Sequence, residues 1–411
     1  MYLTQKNHLR GDKKTYKILK ILTRLSKNLY NYTLYTVRQY FELNNQFLNY
    51  ESAYHHIKEN ENYKLLPSQV AQQTMKIVDR SFKSFFRLIQ ERQKGNYNRP
   101  IKMPYYLPKN GYFVIIFPKN MFKIINNKIR LSLGRNFKKE CGIQYLEFQL
   151  PKNIIGKKIK EVRIIPKYNG LWFEIEYVYE VESIDLKLDK NNYLSIDLGL
   201  DNFATCFSTT SRTPFIIEGR DIKSFNCWWN KRKAELQSIY DKQGIKFGKK
   251  MTYLLNKRKN VINNFMNQSV NYIIKYCIKN NIGRVVIGEL KEIKQNINLG
   301  KNNNRNFVLI PYGLFKQKLQ SKCKLFGIDY IEVDEAYTSK CDALALEPIK
   351  KHKKYLGNRI KRGLFQSSIG KLINADVNGA INILRKIAGD SLVKGILSNG
   401  LVNSPVRVRV V

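Results

Sequence analysis

Residues 193–197 read Tyr-Leu-Ser-Ile-Asp, an apolar strand that carries one acid and runs into the turn Leu198-Gly199-Leu200-Asp201. Alternation along a strand puts Leu194, Ile196 and Leu198 on one face and Asp197 on the other, near the strand's end. Two further strand-like runs follow at 203–208 and 215–218, then helical patterns at 225–242 and 252–280. Residues 284–289, Arg-Val-Val-Ile-Gly-Glu, form an apolar strand that ends in an acid. A helix at 311–326, a strand at 328–334 and a helix at 375–388 complete the pattern. Three hairpin-connected strands followed by alternating helices and strands demand a mixed sheet with helices on its faces.

That order is RNase H-like. The first half has a different texture. Residues 1–10 suit one strand. Residues 13–93 are helical, with Leu19, Leu22, Leu25 and Leu29 at helical spacing, and Pro67-Ser68 suits a helix start. From 101 to 182 strands dominate, with hairpin turns at Asn126-Asn127 and Asn169-Gly170. The expected fold is an α+β multidomain chain: an RNase H-like mixed α/β domain, and a small β-barrel with a helical bundle inserted after its first strand. Residues 183–192 read as a polar joint and 296–306 as an Asn-rich loop.

The formal net charge is +41, from 73 Lys and Arg against 32 Asp and Glu. Such a field calls for a polyanionic partner, nucleic acid before a membrane surface. Apolar runs such as 113–117 are far too short to span a bilayer, and the first residues lack a signal core. The six cysteines are scattered with no C-x-x-C pair, so neither a disulfide scaffold nor a local zinc site is expected.

In a chain short of acids, Asp197, Glu289 and Asp376 end or begin three elements of one sheet domain. Asp376 opens a helix whose Ala380, Ile383, Leu384 and Ile387 form an apolar stripe, so it is aimed at the sheet. Singly, each acid is an ordinary strand-end or first-turn residue. Together they repel, and divalent cations are the natural neutraliser. Two Mg²⁺ ions at such a centre activate a water and stabilise the leaving 3′ oxygen of a phosphodiester.

The stretches Ser-Ile-Asp-Leu-Gly-Leu-Asp, Val-Ile-Gly-Glu-Leu and Ala-Asp-Val-Asn-Gly-Ala resemble the three motifs of the RuvC-like nuclease domain of TnpB proteins. These are transposon-encoded relatives of type V CRISPR effector nucleases. Residues 334–341, Asp-Glu-Ala-Tyr-Thr-Ser-Lys-Cys, resemble the family's stretch before its zinc ribbon. The resemblance implies an RNA-guided DNA endonuclease that takes its guide RNA from the transposon end, reads a short motif beside its double-stranded DNA target, and cuts with Mg²⁺. It implies Asp197, Glu289 and Asp376 as catalytic acids and metal ligands. It also implies a wedge-like β domain at 1–12 and 101–190, a helical recognition domain at 13–100, and a RuvC-like domain at 191–335 and 372–411. No membrane partner is expected, and the protein is expected to be a monomer in the prokaryotic cytoplasm, on the nucleoid when bound. The alternatives are a guide-dependent DNA-binding protein or repressor without cleavage, and a nuclease that needs no RNA.

The family's two C-x-x-C pairs between the second and third acids are missing, and only Cys341 remains. Zinc is therefore not expected. Residues 336–371 form a basic insert with Lys350, Lys351, Lys353, Lys354 and Arg362, expected to pack Leu356, Ile360, Leu364 and Phe365 and to turn its cations to nucleic acid. Lys83 and Arg87 interleave with the rings of Phe82, Phe85 and Phe86; the two cations are expected to meet nucleic-acid phosphates, while the rings suit a core. Lys249, Lys250, Lys257 and Arg258 form an acid-free stretch suited to a heteroduplex backbone. By resemblance, Tyr50 and Gln72 fall where the family reads its target-adjacent motif.

Overall fold

The computed structural model describes residues 1–211, 213–289, 309–397 and 404–410. The Asn-rich stretch 296–306 lies outside the described residues. The chain divides into two compact units, Met1–Val181 and Glu182–Val411.

The first unit opens with β1 (Tyr2–His8) and four helices, α1 (Lys13–Asn44), α2 (Tyr50–Ile57), α3 (Glu61–Leu65) and α4 (Ser68–Gln93). The Asp12 side chain accepts from the Thr15 N–H at 2.7 Å and so starts α1. Leu19, Leu22 and Leu29 of α1 and Val70, Met75, Val78 and Phe82 of α4 are buried in one core, and Phe85 and Phe86 pack against it. The aromatic run is therefore core, in keeping with its spacing. Then come β2 (Ile115–Pro118), β3 (Phe122–Ile125), β4 (Lys128–Ser132), α5 (Arg135–Cys141), β5 (Tyr145–Gln149), β6 (Ile159–Lys167) and β7 (Trp172–Glu180). Asn126 and Asn127 both take positive φ (49° and 57°), the two-residue turn that matches strand twist. The expected barrel takes the form of two antiparallel sheets, ordered β1-β7-β6-β2 and β3-β4-β5.

The second unit carries β8 (Tyr193–Leu198), β9 (Asn202–Ser208), β10 (Phe215–Glu218), α6 (Arg220–Lys242), α7 (Lys249–Lys279), β11 (Arg284–Glu289), α8 (Tyr312–Leu325) and β12 (Asp329–Asp334). It continues with β13 (Asn358–Lys361), β14 (Leu364–Gln366), β15 (Leu372–Asn374), α9 (Ala375–Leu397) and β16 (Val406–Val408). Its sheet is ordered β12-β11-β8-β9-β10-β16; β8, β11 and β12 run parallel, and β8–β9 and β9–β10 are antiparallel. This is the mixed RNase H-like sheet that the element order demands. Leu194, Ile196, Val285 and Ile287 face the core built with α7 and α8. Tyr193, Val286, Ile331 and Val333 face α9, against Val377, Ala380, Ile381, Ile383 and Leu384. Ile387, expected in that stripe, is exposed instead. It lies just before Gly389, whose φ of 78° breaks the helix.

The polar joint belongs with this unit. The Ile184 N–H donates to the Leu325 carbonyl at 2.8 Å, and Lys190 Nζ bonds Asp329 at 2.7 Å. The basic insert folds into the small antiparallel sheet β13-β14-β15 and runs directly into α9. Of the four apolar residues expected to hold it, Phe365 is buried with Ile373, Ala375 and Leu344, whereas Leu356 and Ile360 are more than half exposed.

Candidate nuclease centre

Asp197, near the C-terminal end of β8, is turned toward α9 by strand alternation. It meets that helix where Gly379 gives it room: a Cβ on Gly379 would stand 2.7 Å from Asp197 Oδ2. Its pKa is raised well above the usual carboxylate range, first by burial and then by the negative charges of Asp376 and Glu335; Arg359 opposes them. Two acids are thus brought together, as their positions in the sequence imply.

Asp376 sits in the first turn of α9, whose entry is capped by the Asn374 side chain accepting from the Asp376 N–H at 2.9 Å. Asn202, at the start of β9, donates to Asp376 Oδ2 at 2.7 Å, and Arg407 of β16 reaches Asn202 Oδ1 at 3.4 Å. The other carboxylate oxygen faces Arg359 at 3.5 Å. Asp201, in the turn after β8, pairs with Lys223 and Arg362, each at 2.6 Å. Burial pulls its pKa up, but those cations and Arg220 outweigh it and hold the carboxyl low. These groups line a cleft of about 550 Å³ in which four arginines, Arg220, Arg359, Arg362 and Arg407, surround Asp201 and Asp376. Cations on the rim with carboxylates behind them suit a phosphodiester whose charge the arginines meet.

Glu289 ends β11, opposite Asp334 of β12. Val285 and Ile287 face the α7–α8 core and Val286 faces α9, so alternation gives Gly288 to the face of Asp197 and Glu289 to the opposite face. On Asp197's face the space over Gly288 is filled by Glu335, just past β12. A Cβ on Gly288 would overlap Glu335 Oε1, Cδ and Cγ. Glu335 Oε1 is buried with no hydrogen-bond partner. Burial pushes this carboxyl up to about 7; Lys316 and Lys386 pull it down and Asp334 pushes it up. Sequence reasoning misses Glu335 as a site residue, although it continues the parity of Ile331 and Val333. Nothing in the sequence marks Asn202.

An all-oxygen donor set of carboxylates fits Mg²⁺. The orphaned Glu335 oxygen and the raised Asp197 carboxyl are the signs of uncompensated negative charge that a cation would relieve. Among the described residues, no three acid, His or Cys side chains stand ready around one point as a metal shell.

The basic residues divide by role. In the first unit, buried Asp79 ties two expected contact residues together, accepting from the Tyr50 N–H at 3.1 Å and pairing with Lys83 at 2.7 Å. Gln72 donates to the Tyr63 hydroxyl at 3.4 Å, and Arg87 is exposed. In the second unit Lys249 and Lys250 are exposed, and Lys257 lies 4.6 Å over the exposed ring of Trp228. Arg258 departs from expectation. Its guanidinium bonds Asn226 and the Leu309 carbonyl and stacks on buried Trp229, and burial lowers its pKa. It holds α7 to α6 and to the start of α8, and does not face outward as a phosphate contact. Lys350, Lys351 and Lys354 are exposed on the insert.

The insert's one cysteine and its buried Asp342 are both engaged within the fold. Cys341 Sγ is directed at the carbonyls of Pro348 and Lys350, at 3.5 and 3.6 Å. Buried Asp342 accepts instead from Ser367 and Ser368 and from the main-chain N–H groups of Leu344, Ala345 and Ser368.

A family model described as a probable transposase, OrfB_IS605, matches residues 176–294, and one described as Cas12f1-like, TNB domain, matches 312–383. The TnpB-like protein ORF457 of Acidianus two-tailed virus is 24% identical over 405 residues, covering 90% of this chain and 83% of the viral protein. Cas12f1, solved with sgRNA and target DNA, shares the fold at 16% identity and a TM-score of 0.55, over 90% of this chain and 83% of its own. The mini RNA-guided endonuclease CRISPR-Cas_phi3 does so at 11% identity and a TM-score of 0.52, over 98% and 94%. Motif order, both family models and a relative along nearly the whole length agree in likening the chain to TnpB proteins.

Proposed function

We propose that this protein is an RNA-guided DNA endonuclease that hydrolyses phosphodiesters at the Asp197–Asp376 centre. In this reading it holds a guide RNA from the transposon end and pairs it with one strand of double-stranded DNA beside a short motif. The wedge-like region (1–12 and 101–190) and the helical region (13–100) bind guide and target. The split nuclease domain (191–335 and 372–411) cuts, and the basic insert (336–371) lies against nucleic acid. It acts as a monomer in the cytoplasm of a prokaryotic cell.

The observation that carries this reading is the mutual charge of Asp197 and Asp376 behind a ring of arginines. Asp197 and Asp376 would hold Mg²⁺, with a third acid from the ends of β11 and β12, which the resemblance gives as Glu289. A cation there supplies the positive charge that activates a water and stabilises the leaving oxygen. Asn202 fixes the Asp376 carboxylate in one orientation. Arg359 and Arg362 engage the phosphate and in doing so release Asp376 and Asp201.

Asp197→Ala tests this. Cleavage should fall by about 10²- to 10³-fold, as when other electrostatic stabilisers are removed. Guide-dependent DNA binding should hold, because affinity comes from phosphate contacts spread over the chain. Cutting at near the wild-type rate sinks the assignment. One observation favours a second reading, guide-dependent binding without cleavage: no three-ligand shell stands ready among the described residues. Wild-type protein that binds target but leaves it whole in Mg²⁺ and Mn²⁺ would establish it.

A further inference from the structure

We infer that Glu335 supplies the third carboxylate of this metal centre, from the end of β12 into the space left by Gly288 on β11. The assignment rests on the nuclease reading and departs from it in one residue.

Strand parity decides which acid faces the centre. β8 and β11 pair in parallel, with Ile196 beside Ile287. The next residues along, Asp197 and Gly288, therefore share the sheet face covered by α9. A side chain at 288 would point at the same space as Asp197, and the chain has glycine there. Glu289, the acid beside it, carries the parity of Ile287 and turns to the other face. β12 lies on the far side of β11, with Val333 beside Gly288 and facing α9. Glu335, two residues on, keeps that face.

Three observations put the Glu335 carboxyl in that space. Its Oε1, Cδ and Cγ occupy the volume that a Cβ at position 288 would need, so only glycine there admits it. Its Oε1 is out of water and bonded to nothing, a costly state for a carboxylate that has no ligand to take. Its negative charge acts on Asp197 alongside that of Asp376. Two acids from β8 and α9 and one from β12 thus converge, each from a different element. With a cation between them the repulsion becomes attraction, and rotation of the Glu335 side chain closes the shell.

Since the two side chains compete for one volume, an acid delivered from β11 should replace one delivered from β12. The test uses the full chain with its copurifying RNA and compares wild type with E335Q, E335G, the exchange G288E/E335G, E289Q and D197A. Ferrous iron with ascorbate and peroxide reports metal placement without DNA cleavage, since radicals formed at bound iron cut the adjacent main chain. DNA cleavage is measured in parallel across a Mg²⁺ series. Wild type should be cut near residues 197, 335 and 376. E335Q and E335G should lose those cuts and need about 10- to 100-fold more Mg²⁺. The exchange should regain the iron cuts and recover cleavage to within about tenfold of wild type. Iron cuts retained in E335Q, or lost in E289Q but kept in E335Q, overturn the inference. So does an exchange variant that melts like wild type yet regains nothing. If D197A cuts DNA normally, the nuclease reading fails; the iron pattern still decides whether Glu335 holds metal.

Discussion

Asp376 is held by a neutral amide on one oxygen and an arginine on the other, and these two partners do different work. Arg359 is half exposed and 3.5 Å away, an interaction that a phosphate can take over. Asn202 is at 2.7 Å and is itself restrained by Arg407, so it fixes the carboxylate's direction. A hydrogen bond to a charged group contributes about 1.5–3 kcal/mol. Asn202→Ala should therefore slow cleavage about 10- to 100-fold, by the energy of that one bond. It should raise the Mg²⁺ needed for half-maximal rate and leave the melting temperature nearly unchanged. Asn202→Asp should be worse at low Mg²⁺ and recover partly at high Mg²⁺, because a third charge then has a cation to share. A Mg²⁺ titration of the cleavage rate separates the two variants, and an unaltered titration in Asn202→Ala would show that the bond does not orient Asp376. At this scale sequence reasoning finds what periodicity marks. Asp197 stands out because its strand neighbours are apolar on one parity, and Asp376 because its helix has a stripe. Asn202 follows a turn, where no period exists. Glu335 is visible only once the register of three strands shows which face an acid occupies. Arg258 misleads because one letter cannot tell a guanidinium stacked on Trp229 from one in solvent.

The insert shows how an element keeps its shape when the expected means is missing. Sequence periodicity points to apolar packing, but the three strands are too short to bury much, and Leu356 and Ile360 face water. What holds it is a buried polar network. Asp342, fully buried, gathers Ser367, Ser368 and three main-chain N–H groups. Glu347 accepts from the Asp342 and Leu356 N–H groups, at 2.7 and 3.0 Å. Asn378 and Asn382 of α9 bond the Cys341 carbonyl, and Arg385 caps the Glu347 carbonyl. The network links residues 338–368 to the helix that carries Asp376. None of it is legible in the sequence, since its members are ordinary polar letters whose pairing is set by tertiary structure. Strands β8 to β12 of the nuclease sheet, by contrast, are legible to within a residue, because two buried faces impose a period, whereas α6 starts five residues before its expected bound, α9 runs nine past its own, and the short edge strand β16 carries no such signal. Asp342→Ala leaves several buried donors unsatisfied, each costing about 1–3 kcal/mol. The variant should be destabilised by about 3 kcal/mol or more, and protease should cut within 336–371 first. A chelator should not mimic this effect in the wild-type protein. Resistance of Asp342→Ala to protease in this segment would mean the network is not what holds the insert.

A charge of +41 over the whole chain would make the proposed nucleic-acid surface redundant, and that decides how any part of it must be tested. Removing a few cations from such a field weakens binding only modestly, so affinity at one salt concentration is a poor readout. The slope of log K against log salt reports directly how many phosphates the protein neutralises, at about 0.7–0.9 for each phosphate. Lys350, Lys351, Lys353 and Lys354 are exposed on the insert and absent from its buried network, except for the Lys350 carbonyl, which a side-chain change leaves in place. Replacing all four with Gln should therefore preserve the fold and report only on charge. If the insert lies on nucleic acid, the slope should become shallower by up to about 3. Target-sequence preference should stay the same, because phosphate contacts position and do not specify. Cleavage should fall further than binding, since β15 leads straight into α9 and Arg359 and Arg362 of the same small sheet reach into the cleft. Arg258→Gln provides the contrast. Its guanidinium is committed to Asn226, Leu309 and Trp229, so the expected effect is a lower melting temperature with the salt slope unchanged. A quadruple variant whose slope and cleavage both match wild type would show that these lysines are solvated and that the nucleic acid lies elsewhere on the chain.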